Sequence, residues 1–522
     1  MTSAYRHTTK WLAIAPIAVM LTFVLVPVLN IFSTSLRIDS FAILSAKTTR
    51  NIVWFTTWQA FISTAIVLVI ASPIAAVIAN FKFIGRRALI SLVSVPFILP
   101  TVVVGAAFLE LLPRSIHRSA LAIIIAHVYF NVGLAVRIIS SRWQQIHPQL
   151  DDAARTLGAS TVRTFLTITL PLLKKSFISA GLLVFLMCFT SYGVVRILGG
   201  PARSTIETEI YFRAMQLGDV SGALVLSILQ LVVVGILIFL ITNIGKARAS
   251  SKFGQTVYSR MHHPQSSRQK LLVATVAIIT AVAVVTPLMS VLHRSIYIGQ
   301  RFDTSAWRSV LVDTEIFSSL LTSLRYAIFS IVVSSIVGLL GASAIVYGSS
   351  RYQFVNLITS IPIVLSAVTL GLGLIITFDV NPIDWRGSWL MMPIAHCLVA
   401  VPIVIRIISP VLRDLPNDLR DASRTLGATT WQMWRTIDLR IITPALITAA
   451  AIACAISLGE FGASSFLVRR NNETLPLIIS QLLSRPGDSI QAQAYAISTL
   501  LIVVCIGIIA IVDYRDSNER GI

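Results

Sequence analysis

Long apolar segments recur along the whole chain and restrict it to a membrane fold. A helix that spans a bilayer needs about 20 consecutive, mostly apolar residues. Twelve segments meet this requirement, near Trp11–Phe32, Val53–Ala79, Ala88–Leu111, Ala120–Ile138, Phe177–Ile197, Val220–Ile244, Leu271–Val291, Leu324–Tyr347, Phe354–Phe378, Trp389–Ile408, Ile442–Phe466 and Ala494–Ile511. Charged residues make up only 12% of the chain, about half the share in a typical soluble domain. We therefore predict an all-α integral membrane protein with about twelve transmembrane helices.

The net charge of +20 lies mainly between the apolar segments. Basic residues cluster at Lys82–Arg87, at Lys174 and Lys175, and throughout the segment 245–270. This arrangement is typical of cytoplasmic loops that orient a membrane protein, and it argues against binding to nucleic acid. We predict that the chain lies in the cell membrane, in contact with the lipid bilayer, with both termini in the cytoplasm.

An internal repeat divides the chain. Asp152–Ala159 matches Asp421–Ala428 at an offset of 421 − 152 = 269 residues, and Arg137–Ser140 matches Arg406–Ser409 at the same offset. Further upstream, Pro96 matches Pro362 and Gly105 matches Gly371, at an offset of 266. We therefore predict two fused halves, residues 1–244 and 271–522, joined by a basic cytoplasmic linker, residues 245–270. Each half has six predicted helices, an even number, so both halves enter the membrane with the same orientation.

The segment after the fourth helix carries the strongest motif in each half. The first copy has Asp152, Ala153 and Ala154, then Gly158, then Ile168, Leu170 and Pro171; the second has Asp421, Ala422 and Ser423, then Gly427, Ile437 and Leu439. This spacing resembles the EAA loop of permease subunits in bacterial ABC importers, with Asp152 in place of the usual glutamate and Arg440 in place of the final proline. The resemblance implies that residues 148–174 and 416–440 are loops that couple the permease to an ATPase.

The residue types in these loops favour a helix, a break and a second helix. Gly158 and Gly427 each follow a short helical segment, and glycine readily adopts the positive φ that ends a helix. We predict that Thr161 and Thr430 cap the helix that follows.

The chain has no G-x-x-x-x-G-K-[ST] phosphate-binding loop, so ATP hydrolysis needs a separate subunit. We predict that the chain is not an enzyme and has no catalytic residues, metal site or cofactor. The family resemblance implies two ATP-binding cassette ATPase subunits, one for each coupling loop, and an extracytoplasmic solute-binding protein.

Three further segments refine the resemblance. Residues Leu186–Gly193, Ser457–Gly462 and His127–Asn131 are similar to segments of the fused twelve-helix permeases for thiamine and for ferric iron, which consist of two parallel MetI-like repeats. This similarity implies a translocation pathway for a small cationic solute. Thiamine is the leading interpretation, and ferric iron is the alternative within the same family.

Glu460 is a carboxylate inside an apolar segment, where a charge is costly and usually faces a cavity or a partner. We predict that Glu460 lies near the pathway, with its repeat counterpart Ser191 and the neighbouring aromatic residues Tyr192 and Phe461. The alternatives for Glu460 are a place at the outer interface or an ion pair with a spanning arginine, such as Arg196, Arg137 or Arg406.

Two other interpretations of the sequence stay open. His127 and His396 occupy matching positions and could approach each other as metal ligands, but packing histidines are the more common case. Twelve helices in two parallel halves are also the plan of an ion-coupled secondary transporter. The loop Phe81–Arg87 lacks the acidic residue typical of that class. A lipid-modifying membrane enzyme is disfavoured, because no cluster of catalytic residues is evident.

Overall fold

The computed structural model describes residues 9–35, 38–200, 203–249, 261–299, 301–348, 353–380, 383–385, 388–469 and 472–519. Residues 250–260 of the predicted linker lie outside the described residues. Nearly all of the described chain is helical, and the few strands form two short hairpins.

The α-helices of the first half begin and end as follows: α1 (Thr9–Met20), α2 (Val26–Ser35), α3 (Lys47–Asn80), α4 (Arg86–Ile98), α5 (Thr101–Leu111), α6 (Ala120–Trp143), α7 (Gln149–Thr156), α8 (Thr161–Thr164), α9 (Leu170–Phe189), α10 (Gly193–Leu198), α11 (Ile206–Tyr211) and α12 (Val220–Ala249). Short 3₁₀ segments lie at Ile38–Ser45 and Arg114–Ile116. Segments of π-helix occupy Leu21–Leu25, Phe165–Thr169 and Phe212–Leu217. Because Leu21–Leu25 and Phe165–Thr169 directly join α1 to α2 and α8 to α9, each of these pairs is one continuous helix.

The second half contains α13 (Ser267–Ile296), α14 (Ser305–Val312), α15 (Thr314–Tyr347), α16 (Gln353–Val364), α17 (Ala367–Phe378), α18 (Met391–Arg413), α19 (Asn417–Thr425), α20 (Thr430–Met433), α21 (Leu439–Gly459), α22 (Gly462–Leu467), α23 (Leu475–Ser484) and α24 (Asp488–Glu519). A π-helical segment, Trp434–Asp438, joins α20 to α21. The strands are β1 (Tyr297–Ile298), β2 (Arg301–Phe302), β3 (Asp379–Val380) and β4 (Ile383–Asp384), and each pair is antiparallel.

Ten helices among the described residues are long and apolar enough to cross a membrane, and two bent helix pairs bring the number to twelve. The predicted all-α membrane fold is therefore confirmed. Two of the predicted spans, Ala88–Leu111 and Phe354–Phe378, are bent pairs of helices, because α4 and α5 meet at 100°, as do α16 and α17.

The two bends lie at matching positions but have different local causes. In the first half, Leu99 is extended and precedes Pro100, and the residue before a proline avoids helical backbone angles. In the second half, the hydroxyl of Ser366 accepts a hydrogen bond from the Thr369 N–H at 3.0 Å and caps the new helix. A proline and a capping serine therefore produce the same break.

Contacts divide the described chain into two compact units that interleave along the sequence. One unit comprises residues 1–43, 210–231 and 295–522, and the other comprises residues 44–209 and 232–294. The first helix of the chain thus packs with helices of the second sequence half, since α1 contacts α15 and α2 contacts α17. The predicted boundaries at 1–244, 245–270 and 271–522 follow the sequence repeat, and they stay a prediction.

The first helix of the second half, α13, packs against helices of the first half. In the unit formed by residues 44–209 and 232–294, Tyr129 of α6 donates a hydrogen bond to the carbonyl of Val284 in α13 at 3.0 Å. Arg294, near the end of α13, lies 3.5 Å from Glu110 at the end of α5. Each unit therefore combines helices of one half with the opening helix of the other.

The core of the unit that contains the second half lies between α15, α18 and α21. Buried aliphatic side chains fill this core: Val337, Val401, Val404, Ile405, Ile408, Leu412, Ile442, Ala449 and Ala453. Small residues on α21 let the three helices approach closely, as is usual where helices pack in a bilayer. This core supports both the second coupling loop and the break after α21.

Candidate functional site

The first coupling loop contains a short helix, α7, that ends on a glycine. Gly158 has φ of +80°, its N–H bonds to the carbonyl of Arg155 at 2.9 Å, and the N–H of Ala159 bonds to the carbonyl of Ala154 at 2.9 Å. This pair of bonds is the Schellman motif, which satisfies the last carbonyls of a helix and needs a left-handed residue. The expected role of Gly158 in ending the helix is confirmed.

The second coupling loop repeats this geometry at α19. Gly427 has φ of +81°, its N–H bonds to Arg424 at 2.9 Å, and the Ala428 N–H bonds to the Ser423 carbonyl at 3.0 Å. Two segments 269 residues apart in the sequence thus end their helices with the same hydrogen bonds.

The caps of the following helices are one residue earlier than predicted. Ser160 caps α8 by accepting from the Arg163 N–H, and Thr429 caps α20 by accepting from the Gln432 N–H, each at 3.3 Å. The prediction of Thr161 and Thr430 as caps is wrong, since both are the first helical residues. Thr429 also forms a capping box, because its own N–H bonds to the Gln432 side chain.

The predicted coupling residues divide between an outer and an inner face of each short helix. Most are exposed, namely Asp152, Ala153, Gly158, Asp421, Ala422 and Gly427, whereas Ala154 is buried and Ser423 is half-buried. Leu157 and Leu426 precede the two glycines, and each is 88% exposed. An exposed leucine therefore lies directly before the glycine in both loops.

A buried ion pair beneath the second loop was not predicted from the sequence. Arg420, on the inner face of α19, lies 2.9 Å from Asp438, the last residue of the π-helical segment Trp434–Asp438. Tyr347, at the end of α15, donates a hydrogen bond to the other Asp438 oxygen at 2.9 Å. An arginine in a loop with several other charged residues has no distinctive sequence pattern, so only the fold reveals that it is buried.

A second group of features lies where spanning helices break. The helix α9 ends at Phe189 and α10 begins at Gly193, whereas α21 ends at Gly459 and α22 begins at Gly462. In each case the short helix after the break packs against the bent helix pair of the same unit, α10 against α5 and α22 against α17.

Glycines permit these close contacts. A Cβ added to Gly105 would lie 2.8 Å from the Cβ of Ile197, and one added to Gly371 would lie 2.9 Å from the Cα of Ala463. A Cβ on Gly462 would in turn lie 2.9 Å from the Cβ of Ala367. Because Gly105 and Gly371 are repeat partners, the two halves build their helix breaks with the same close packing.

Glu460 occupies the break between α21 and α22 and is only 8% exposed. Its Oε1 accepts a hydrogen bond from the Ala463 N–H at 2.8 Å, and the Gly462 and Ser464 N–H groups also interact with this carboxylate. The carboxylate therefore satisfies the free N–H groups at the start of α22. This contact with backbone N–H groups was not among the sequence-based alternatives.

The other candidate pathway residues are also largely buried. Ser191 and Tyr192 lie in the break between α9 and α10, and Phe461 lies beside Glu460. The structure thus places the four residues at two matching breaks, one in each unit.

The two buried histidines each bond within their own unit. His127 Nδ1 lies 3.0 Å from Gln59 Oε1, whereas His396 lies 2.9 Å from both Ser457 Oγ and Ser464 Oγ. These bonds fit histidines that join packed helices, and His396 bridges the two sides of the break at Glu460.

The chain is similar in sequence to known proteins over most of its length. The chain is 25% identical to the thiamine transport system permease protein ThiP of Escherichia coli over 478 residues, or 87% of this chain and 86% of that protein. It is 23% identical to the thiamine transport system permease protein ThiP of Haemophilus influenzae over 501 residues, 90% and 89% of the two chains. A probable ABC transporter permease protein, y4fN of Sinorhizobium fredii, is 21% identical over 513 residues, 90% of each chain.

A family match covers most of each half and includes both predicted coupling loops. Residues 70–251 and 330–518 match the family described as binding-protein-dependent transport system inner membrane component. Together the two matched segments cover more than half of the chain, and one lies mainly in each predicted half. This chain therefore belongs to the inner membrane components of binding-protein-dependent transport systems.

Proposed function

We propose that this chain is the permease subunit of an ATP-driven ABC importer and forms the translocation pathway for thiamine. The observation that carries the proposal is the pair of coupling loops with identical helix ends at Gly158 and Gly427. The family membership supports the same class, and it disfavours the ion-coupled secondary transporter. The permease makes and breaks no covalent bond, and its two halves alternate between inward and outward access.

The proposed partners on the cytoplasmic side are two ATPase subunits, one at each coupling loop. Leu157 and Leu426 support this proposal, because a leucine that becomes buried contributes about 1.5–3 kcal/mol and both side chains are 88% exposed. A single exposed leucine is unremarkable, but two at matching positions indicate two equivalent anchors. An extracytoplasmic solute-binding protein completes the proposed complex.

Thiamine is proposed as the solute because the relatives in Escherichia coli and Haemophilus influenzae bear that name. Ferric iron is the alternative. Glu460, Ser191, Tyr192 and Phe461 are proposed to border the pathway, with the carboxylate favouring a cation and the aromatic rings suited to stacking on a flat solute.

Thiamine uptake tests this assignment directly. Cells that lack their own thiamine uptake should accumulate labelled thiamine when they produce this chain with its ATPase and binding protein. The control is the same complex with an ATPase that cannot hydrolyse ATP, for which we expect no uptake above background. Uptake of ferric iron by the intact complex, without uptake of thiamine, would select the alternative.

The orientation in the membrane gives a second prediction. In a variant without Cys188, Cys397, Cys454 and Cys505, we expect Thr161→Cys to resist an impermeant thiol reagent added to intact cells, and to react after the cells are opened. Ser305→Cys is the matched control, because Ser305 is exposed and lies on the opposite side in this topology. Labelling of residue 161 from outside would contradict the cytoplasmic position of the coupling loops.

A further inference from the structure

Three side chains from three separate elements meet beneath the second coupling loop. Arg420 comes from α19, Asp438 from the π-helical segment that leads into α21, and Tyr347 from the last residue of α15. Arg420 is 5% exposed and Asp438 is fully buried. Charges so deeply buried in a loop region must be paired, because an isolated buried charge is strongly unfavourable.

The three side chains form a closed network. The Arg420 Nε donates to Asp438 Oδ1 at 2.9 Å, and the Nη2 donates to the Tyr347 hydroxyl oxygen at 2.6 Å. The Tyr347 hydroxyl donates in turn to Asp438 Oδ2 at 2.9 Å, and the guanidinium carbon lies 4.9 Å from the Tyr347 ring centroid. Each pair in the network is joined directly, and hydrogen bonds to ionised groups fix geometry better than neutral ones.

This network links the coupling helix to two long helices of the unit core. The helices α15 and α21 pack against each other and against α18. The network thus joins α19 to both helices through side chains as well as through the connecting chain. We propose that Arg420 is a positioning residue that makes α19, the end of α15 and the start of α21 move as one body. The proposal rests on the proposed importer function, in which α19 receives the movement of the ATPase.

The first coupling loop provides an internal comparison. The positions that match Arg420 and Asp438 hold Asp151 and Thr169, at 420 − 269 and 438 − 269. The Thr169 hydroxyl lies 3.5 Å from an Asp151 oxygen, and threonine is neutral, so these two residues form no ion pair with each other. The two loops therefore have the same helix ends but different chemistry on the inner face.

Hydrogen exchange of the purified permease tests the positioning without any partner or solute. In Asp438→Asn, which keeps the shape and removes the charge, we expect amides 421–427 to exchange at least tenfold faster, while amides 152–158 are unchanged. The matched control, Thr169→Val, should leave amides 421–427 at the wild-type rate. Unchanged exchange in Asp438→Asn would overturn the proposed joint, and this readout does not depend on the importer function.

A second measurement separates positioning from a merely structural role. In vesicles with the whole complex, Asp438→Asn should retain ATP hydrolysis but transport at least fivefold less solute for each ATP consumed. The charge-reversed double variant, Arg420→Asp with Asp438→Arg, should restore much of the ratio of solute transported to ATP consumed. Fast exchange with a wild-type ratio would show that the network stabilises the loop without transmitting movement, and would overturn the positioning role.

A double variant tests the proposal if the Asp438→Asn protein fails to accumulate in the membrane. Arg420→Met with Asp438→Leu removes both charges together and leaves no unpaired buried charge, a change that folded proteins often tolerate. We expect this protein to accumulate and to show both the fast exchange of amides 421–427 and the lowered transport ratio. Wild-type values for both would overturn the proposal.

Discussion

Transport is expected to be lost when Gly158 or Gly427 is replaced by valine, while the protein still accumulates in the membrane. Both glycines are left-handed, with φ of +80° and +81°, and this conformation costs a β-branched residue about 1–3 kcal/mol. A Cβ at either position would meet no atom within 4 Å. The penalty therefore falls on the backbone of the loop alone, and the spanning helices should still insert and pack.

Asparagine at the same positions is the matched control, because it tolerates the left-handed conformation better than other residues with a side chain. We expect Gly158→Asn and Gly427→Asn to retain most transport and ATP hydrolysis stimulated by the loaded binding protein. The valine variants should lose both, or should release the ATPase subunit. Wild-type coupling in both valine variants would show that these loops are not the joint with the ATPase.

The transmembrane helices and the glycine-ended loops could be predicted from local sequence, because each depends on residues close together in the chain. The helix at Thr161 could be predicted to within one residue, and Ser160 proved to be its cap. The bends before Thr101 and Ala367 could not be predicted from hydropathy, which stays high through each break. Pro100 was the available signal in the first half, whereas Ser366 in the second half is recognisable as a cap only once the helix start is known.

Contacts between distant segments were harder to predict. The packing of α1 against α15 joins two apolar surfaces, and one apolar helix surface looks much like another in a sequence. The Arg420–Asp438 pair joins residues 18 positions apart on either side of the helix break at Gly427, so its contact depends on how the chain folds between the two helical segments. Glu460 was identified as unusual from its apolar surroundings, but its bond to the start of α22 depends on a break that the sequence did not reveal.

Glu460 therefore has a structural role that any test of its pathway role must separate. The carboxylate oxygen that accepts the Ala463 N–H at 2.8 Å is buried. Removing such an acceptor leaves backbone donors unsatisfied, at a cost of about 1–3 kcal/mol. Glutamine retains one side-chain oxygen of the same reach, loses the charge and replaces the second oxygen with an NH2 group. Alanine at this position would remove both the acceptor and the charge, whereas glutamine removes the charge and keeps one acceptor oxygen.

We expect Glu460→Ala to lower the thermal stability of the purified protein and its amount in the membrane. Glu460→Gln should accumulate normally, yet transport a cationic solute about tenfold more slowly, which corresponds to about 1.4 kcal/mol. Thermal unfolding in detergent and uptake per molecule of permease are the two measurements. Glu315→Gln is the control, because it removes the charge of an exposed carboxylate in the first turn of α15, and it should leave uptake nearly unchanged. If Glu460→Gln transports at the wild-type rate, the carboxylate acts only as the cap of α22 and the proposed attraction of a cation is wrong. If both variants are equally unstable, the charge itself holds the break together, because the amide oxygen then fails to replace it.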